Sequence, residues 1–130
     1  MKNKKTYGQL IEANIHMGGY LQKHKEENKI CVSIKNFSKQ LQKVFEEYND
    51  DRDTLQLNNC AVDEKTKVIL KDEKGNRQFT VEGEIKLKKD LKDLLLKEVE
   101  IHSRIPEGID ELIAGLTEEE KEAFAGIVIP

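Results

Sequence analysis

The sequence predicts an α+β fold dominated by helices, and three local patterns carry that expectation. First, Ile34, Phe37, Leu41, Val44, Tyr48 and Leu55 follow one another at spacings of 3, 4, 3, 4 and 7, the a/d rhythm of a long helix. Second, two β-branched or aromatic runs, around Val68–Leu70 and Phe79–Val81, flank the turn sequence Asp72-Glu73-Lys74-Gly75, a hairpin signature. Third, Thr117 precedes Glu120 by three positions, a capping box that opens a helix.

In chain order, Thr6 caps a first helix over residues 6–22, with Tyr7, Leu10, Ile11, Met17 and Leu21 near one face. Gly18-Gly19 weakens it, because each interior glycine costs ~1 kcal/mol against alanine, and the helix is expected to end or bend there or shortly after. Residues 24–29 form a polar connection. The long helix follows over residues 32–58, about 40 Å at 1.5 Å per residue, with one seam position occupied by the acid Asp51. Its charges are segregated: Lys35, Lys39 and Lys43 come first, and Glu46, Glu47, Asp50, Asp51 and Asp53 follow. That order opposes the helix dipole. It reads either as a solvated face or as a device for pairing with an antiparallel copy.

The hairpin is expected over residues 67–81, with Gly75 in the left-handed position of its turn. Thr80 then caps a helix over residues 81–97, with Glu82 and Glu84 at its positive end. Val81, Ile85, Leu87, Leu91, Leu94 and Leu95 supply its apolar face. Residues 98–102 alternate and join the hairpin as a third antiparallel strand. Short helices over 107–116 and 118–126 lead to the apolar end Gly126-Ile127-Val128-Ile129-Pro130, which either tucks into the core or docks on a neighbour. With 130 residues, the chain is expected to form a single domain.

Composition bears on chemistry. The net charge is −3 and aromatic residues are 5%, so nucleic acid is not the expected partner. No apolar run reaches the ~18 residues of a membrane span. The N-terminus has lysines without an apolar core, so no signal peptide is expected. Cys31 and Cys60 stand apart without CxxC spacing, which suits a reducing cytoplasm. His16, His24 and His102 lie in no ligand spacing. Lys74 precedes Gly75, and the sixth residue after that glycine is Val81, so the calcium-loop pattern fails. No phosphate-binding glycine motif is present. The expectation is a protein without catalytic residues, cofactor or metal.

The order of elements resembles a family of small proteins of unknown function encoded in phages and prophages. The resemblance spans roughly residues 30–125. It rests on FEEYNDDRDTLQL, on the D-x-x-G-x-x-x-F turn at Asp72, Gly75 and Phe79, on LLLKEVEI with Glu98 to Ile101, and on RIPEGIDELIAGLTEEEKEAF. It implies a phage protein in the host cytoplasm or the virion, a minor virion or assembly component. The heptad seam and the segregated charges of the long helix predict self-association or a place in a larger assembly, with the interaction surface on Ile34, Phe37, Leu41, Val44, Tyr48 and Leu55. The acids Glu46, Glu47, Asp50 and Asp51 and the tail of Ile127, Val128 and Ile129 would add to it. A second reading is a counter-defence protein whose acids mimic phosphate and block a host protein, nucleotide signal or nucleic-acid-binding enzyme.

Overall fold

The structure, a computed structural model, describes residues 2–130. It is α+β: five helices, one of them long, with a small antiparallel sheet and short C-terminal helices. In order these are β1 (Lys2–Thr6), α1 (Tyr7–Lys23), α2 (Lys29–Asn59), α3 (Val81–Leu95), β2 (Glu98–His102), α4 (Asp110–Ala114) and α5 (Glu118–Phe124). Capping by side chains sets several starts. Thr6 and Thr117 close full capping boxes with Gln9 and Glu120, and Thr80 accepts from Gly83 N–H. The Asn28 carboxamide accepts from Cys31 N–H at 2.9 Å and starts α2. Helix α1 runs through Gly18-Gly19 to Lys23, because Leu10, Ala13, Met17 and Tyr20 bury one face on both sides of the glycines.

The sheet differs from the expected one. Strand β2 pairs antiparallel with β1, in the register Lys2↔His102, Lys4↔Glu100 and Thr6↔Glu98. The expected hairpin at 67–81 contributes only isolated bridges, Val62↔Ile69 and Lys71↔Arg77. The cause is local. Lys67, the intended first residue of that strand, has φ 59, the left-handed region that an extended strand excludes. Val68 and Leu70 are exposed, so no apolar face holds the ribbon flat. The turn itself forms, with Gly75 at φ 82 and Gly75 N–H donating to the Asp72 carbonyl at 3.0 Å.

The chain divides into two compact units. The first comprises Met1–Glu46 with Lys97–Pro130, the second Glu47–Leu96. The large apolar cluster lies wholly in the first. Leu10, Met17 and Tyr20 of α1 meet Ile30, Ile34, Phe37 and Leu41 of α2, with Ile101 of β2 and Phe124 of α5. The division follows from the apolar supply. Beyond Val44 the α2 side chains directed inward are few, and the second unit buries only Leu87, Leu94 and Asn59 among its described residues.

In the second unit, α2 and α3 meet through a close approach. A Cβ on Gly83 would lie 2.4 Å from the Asn59 carbonyl oxygen, so glycine is required there. Asn59 also donates to Leu55 O at 2.8 Å and to Asp90 Oδ2 at 3.3 Å. The connection between the helices is closed by a ring of three backbone hydrogen bonds. Ala61 N–H donates to Gln78 O, Gln78 N–H to Leu70 O, and Leu70 N–H to Ala61 O, at 2.8, 2.9 and 3.0 Å. Two loops leave this ring, each organised by an aspartate. Asp63 Oδ1 accepts from the N–H groups of Lys65 and Thr66; Asp72 Oδ1 accepts from those of Lys74 and Asn76.

Candidate interaction surface

The expected interaction residues fall into three groups. Ile34, Phe37 and Leu41 are buried in the core of the first unit, and Val44 packs half-buried against them. Tyr48 and Leu55 are half-buried in the second unit. The seam is therefore largely spent within the molecule and does not form an open face. The tail is also internal: Ile127, Val128 and Ile129 are 1%, 0% and 4% exposed. Three contacts hold it. Asn3 Nδ2 and Ser103 Oγ both donate to Gly126 O, and Arg104 N–H donates to Ile127 O at 2.6 Å. Burying side chains of this size contributes roughly 1.5–3 kcal/mol each, which decides between tucking in and docking outward. Of the acids, Glu46, Glu47 and Asp50 are exposed and Asp51 is half-buried.

A groove of about 340 Å³ lies in the first unit, between α1 and α5. Lys5, Gln9, Glu12, His16, Glu119 and Glu122 line it. His16 Nε2 stands 3.3 Å from Glu12 Oε1, one helical turn away. Among the described residues no group of three or more His, Cys, Asp or Glu is placed to hold a metal. Both cysteines are free, Cys31 buried and Cys60 half-buried. Among the described residues no helix is long and apolar enough to cross a membrane.

Two titratable groups are held away from their ordinary values in the first unit. Burial pushes the Tyr20 phenol up, against the Asn28 amide that donates to it at 2.9 Å. Glu120 sits beneath α1, its side chain 6% exposed. Burial raises its pKa, but the Thr117 N–H on Oε1 and the Lys23 ammonium 3.2 Å from Oε2 outweigh it and hold the carboxyl low. The Lys23 approach is an ion pair, without the geometry of a directed hydrogen bond.

The exposed apolar side chains are concentrated elsewhere. Seven of the ten large hydrophobic side chains that stand exposed among the described residues lie in the second unit: Leu57, Val62, Val68, Leu70, Val81, Ile85 and Leu96. Helix α3 explains much of this. Leu87 and Leu94 turn inward on the side that carries Gly83 and Asp90, while Val81 and Ile85 are 72% and 65% exposed. At about 100° per residue, Val81, Ile85, Lys92 and Leu96 share the opposite side of the helix. Val81, Ile85 and Leu87, expected on one face of the helix, thus lie on two. The spacing of 81, 85, 92 and 96 against 87, 91 and 94 is the signal that separates two stripes. The repeated Asp-Glu-Lys at 63–65 and 72–74 is the sequence signal of the paired loops.

Comparison of the chain with known protein families, curated proteins and solved structures gives no match.

Proposed function

We propose that this chain is a non-enzymatic interaction protein, a phage-encoded structural or assembly component that works in the cytoplasm of a bacterial host or in the virion. One observation carries the reading. Residues 47–96 present most of the exposed large apolar side chains, with Val81 and Ile85 adjacent on α3. Apolar surface left uncovered along one side of a helix, as Val81, Ile85 and Leu96 leave it on α3, is what a protein partner covers. The first unit, by contrast, spends most of its large apolar residues on its own interior. The phage setting rests on the resemblance in the turn at Asp72, Gly75 and Phe79 and in the segment Glu98 to Ile101.

The test is a photoreactive amino acid placed at position 85 in cells that make the protein, with Lys39 on the exposed side of α2 as the control position. The expected result is one discrete crosslinked product from position 85 and none from position 39. Equal labelling at both positions, or no discrete product at 85, overturns the reading.

A further inference from the structure

We infer that the exposed face of α3 docks on α2 of a second copy of this chain, head to tail, so that the protein assembles into rings or chains of copies rather than a closed two-fold pair. The inference rests on the interaction reading above and names its partner.

Two helix faces in the second unit carry it. On α3, Val81, Ile85 and Leu96 are exposed, and Lys88, Lys89 and Lys92 rise among them. On α2, Leu57 is exposed and shares its side with Asp50, with Glu47 at the margin; Asp53 on the same side is already paired with Arg77 at 2.6 Å. Both faces thus combine apolar side chains with charge, and the charges are opposite. Matching them joins the α3 lysines to Asp50 and Glu47 around a leucine contact. A partner lacking acids gains nothing from the α3 lysines, and a basic partner is repelled by them. The Glu84–Lys88 pair at 3.7 Å, fully on the surface, is too weak to satisfy this face from within.

The geometry sets the kind of assembly. Helix α2 turns Asn59 and Leu55 towards α3, and α3 turns Gly83 and Asp90 towards Asn59. By helical periodicity, Asp50 and Leu57 lie about 180° from Leu55 on α2, within one turn's scatter. Val81 and Ile85 lie likewise opposite Gly83 and Asp90. The two complementary faces therefore look away from each other, on opposite sides of the helix pair. A two-fold contact needs both faces on one side, because each copy must present the same patch to the other. Complementary patches on opposite sides give a heterologous contact, which closes into a ring or grows as a chain.

The experiment uses the full chain and two paired substitutions. Val81→Ser with Ile85→Ser blocks the α3 face; Glu47→Lys with Asp50→Lys blocks the α2 face. All four positions are exposed, and circular dichroism checks that each variant keeps its helices. Light scattering at about 10 mM salt, where charges act over about 30 Å, should show unaltered protein reaching three or more copies as concentration rises. The species should shrink at about 1 M salt. Each variant alone should stay at the 15.0 kDa of one chain. Mixed together they retain one intact junction, so the mixture should give a pair and nothing larger.

Unaltered protein that remains a single chain at low salt and high concentration overturns the inference. So does a pair that never grows, or a mixture of variants that does not associate. If position 85 crosslinks discretely to a different protein while the chain stays single, the head-to-tail inference fails and the interaction reading stands. If no discrete crosslink forms either, both fail.

Discussion

Glu120 shows how a single carboxylate ties folding to pH. It stands at the third position of α5, accepts a hydrogen bond from Thr117 N–H at 3.0 Å, and meets Lys23 of α1 across the core edge at 3.2 Å. Its pKa lies below the ordinary 4.5 in the folded chain, burial notwithstanding. A depressed acid contributes stability that is present above its unfolded pKa and is lost as pH falls through the folded value. Urea denaturation of Glu120→Gln should show about 1–2 kcal/mol less stability than the unaltered chain at pH 7, because the amide keeps the cap and loses the ion pair. The gap should close as pH is lowered from about 5 to about 3, and a gap that persists there would contradict the assignment. The capping box was legible from Thr117 and Glu120 alone. Lys23 was not, since 97 residues separate it from Glu120 and no local pattern joins them.

Between elements, the chain relies on close approaches that sequence windows do not display. Gly83 lets α3 come against the carbonyl of Asn59, and in sequence it reads as an indifferent glycine in a first helical turn. Gly18 sits mid-helix with open space around its Cβ position. The two should respond oppositely to alanine. Gly18→Ala should stabilise by about 0.5–1 kcal/mol through helix propensity. Gly83→Ala should destabilise by roughly 1–3 kcal/mol, because backbone must shift to admit the methyl group. Thermal melts of both variants check the pair of signs. The strand β1 was invisible for a related reason. Lys2–Thr6 reads KNKKT, without alternation, and becomes a strand only through partners some 95 residues on, where Lys2 meets Glu100 at 3.4 Å. Helices α2 and α3, with strong periodicity and local caps, were readable to within a few residues. The inward destination of the α2 seam was not, because an a/d pattern says that a face is covered and not what covers it.

Across the whole molecule, the uneven distribution of apolar burial should appear as uneven protection. Backbone amides in residues 30–41 of α2 and 10–20 of α1 sit over Phe37, Tyr20 and Met17, all almost fully buried. Those in residues 61–79 have mostly exposed neighbours. Hydrogen–deuterium exchange followed by mass spectrometry should find the first two segments the slowest and the third far faster; uniform protection across all three would refute a core confined to one unit. Net charge and composition pointed away from nucleic acid and membrane, but they held no information on where the core would stop. The backbone ring of Ala61, Leu70 and Gln78 has a bearing on how such a protein changes over time. Each of its two loops is anchored at the ring by main-chain bonds that any residue but proline can make, and Glu64, Lys65, Glu73 and Lys74 stand outward from it, exposed. Length and sequence at those two tips can drift, or accept a grafted peptide, while α2 and α3 keep their junction: the connection is a socket for new binding loops on a fixed frame.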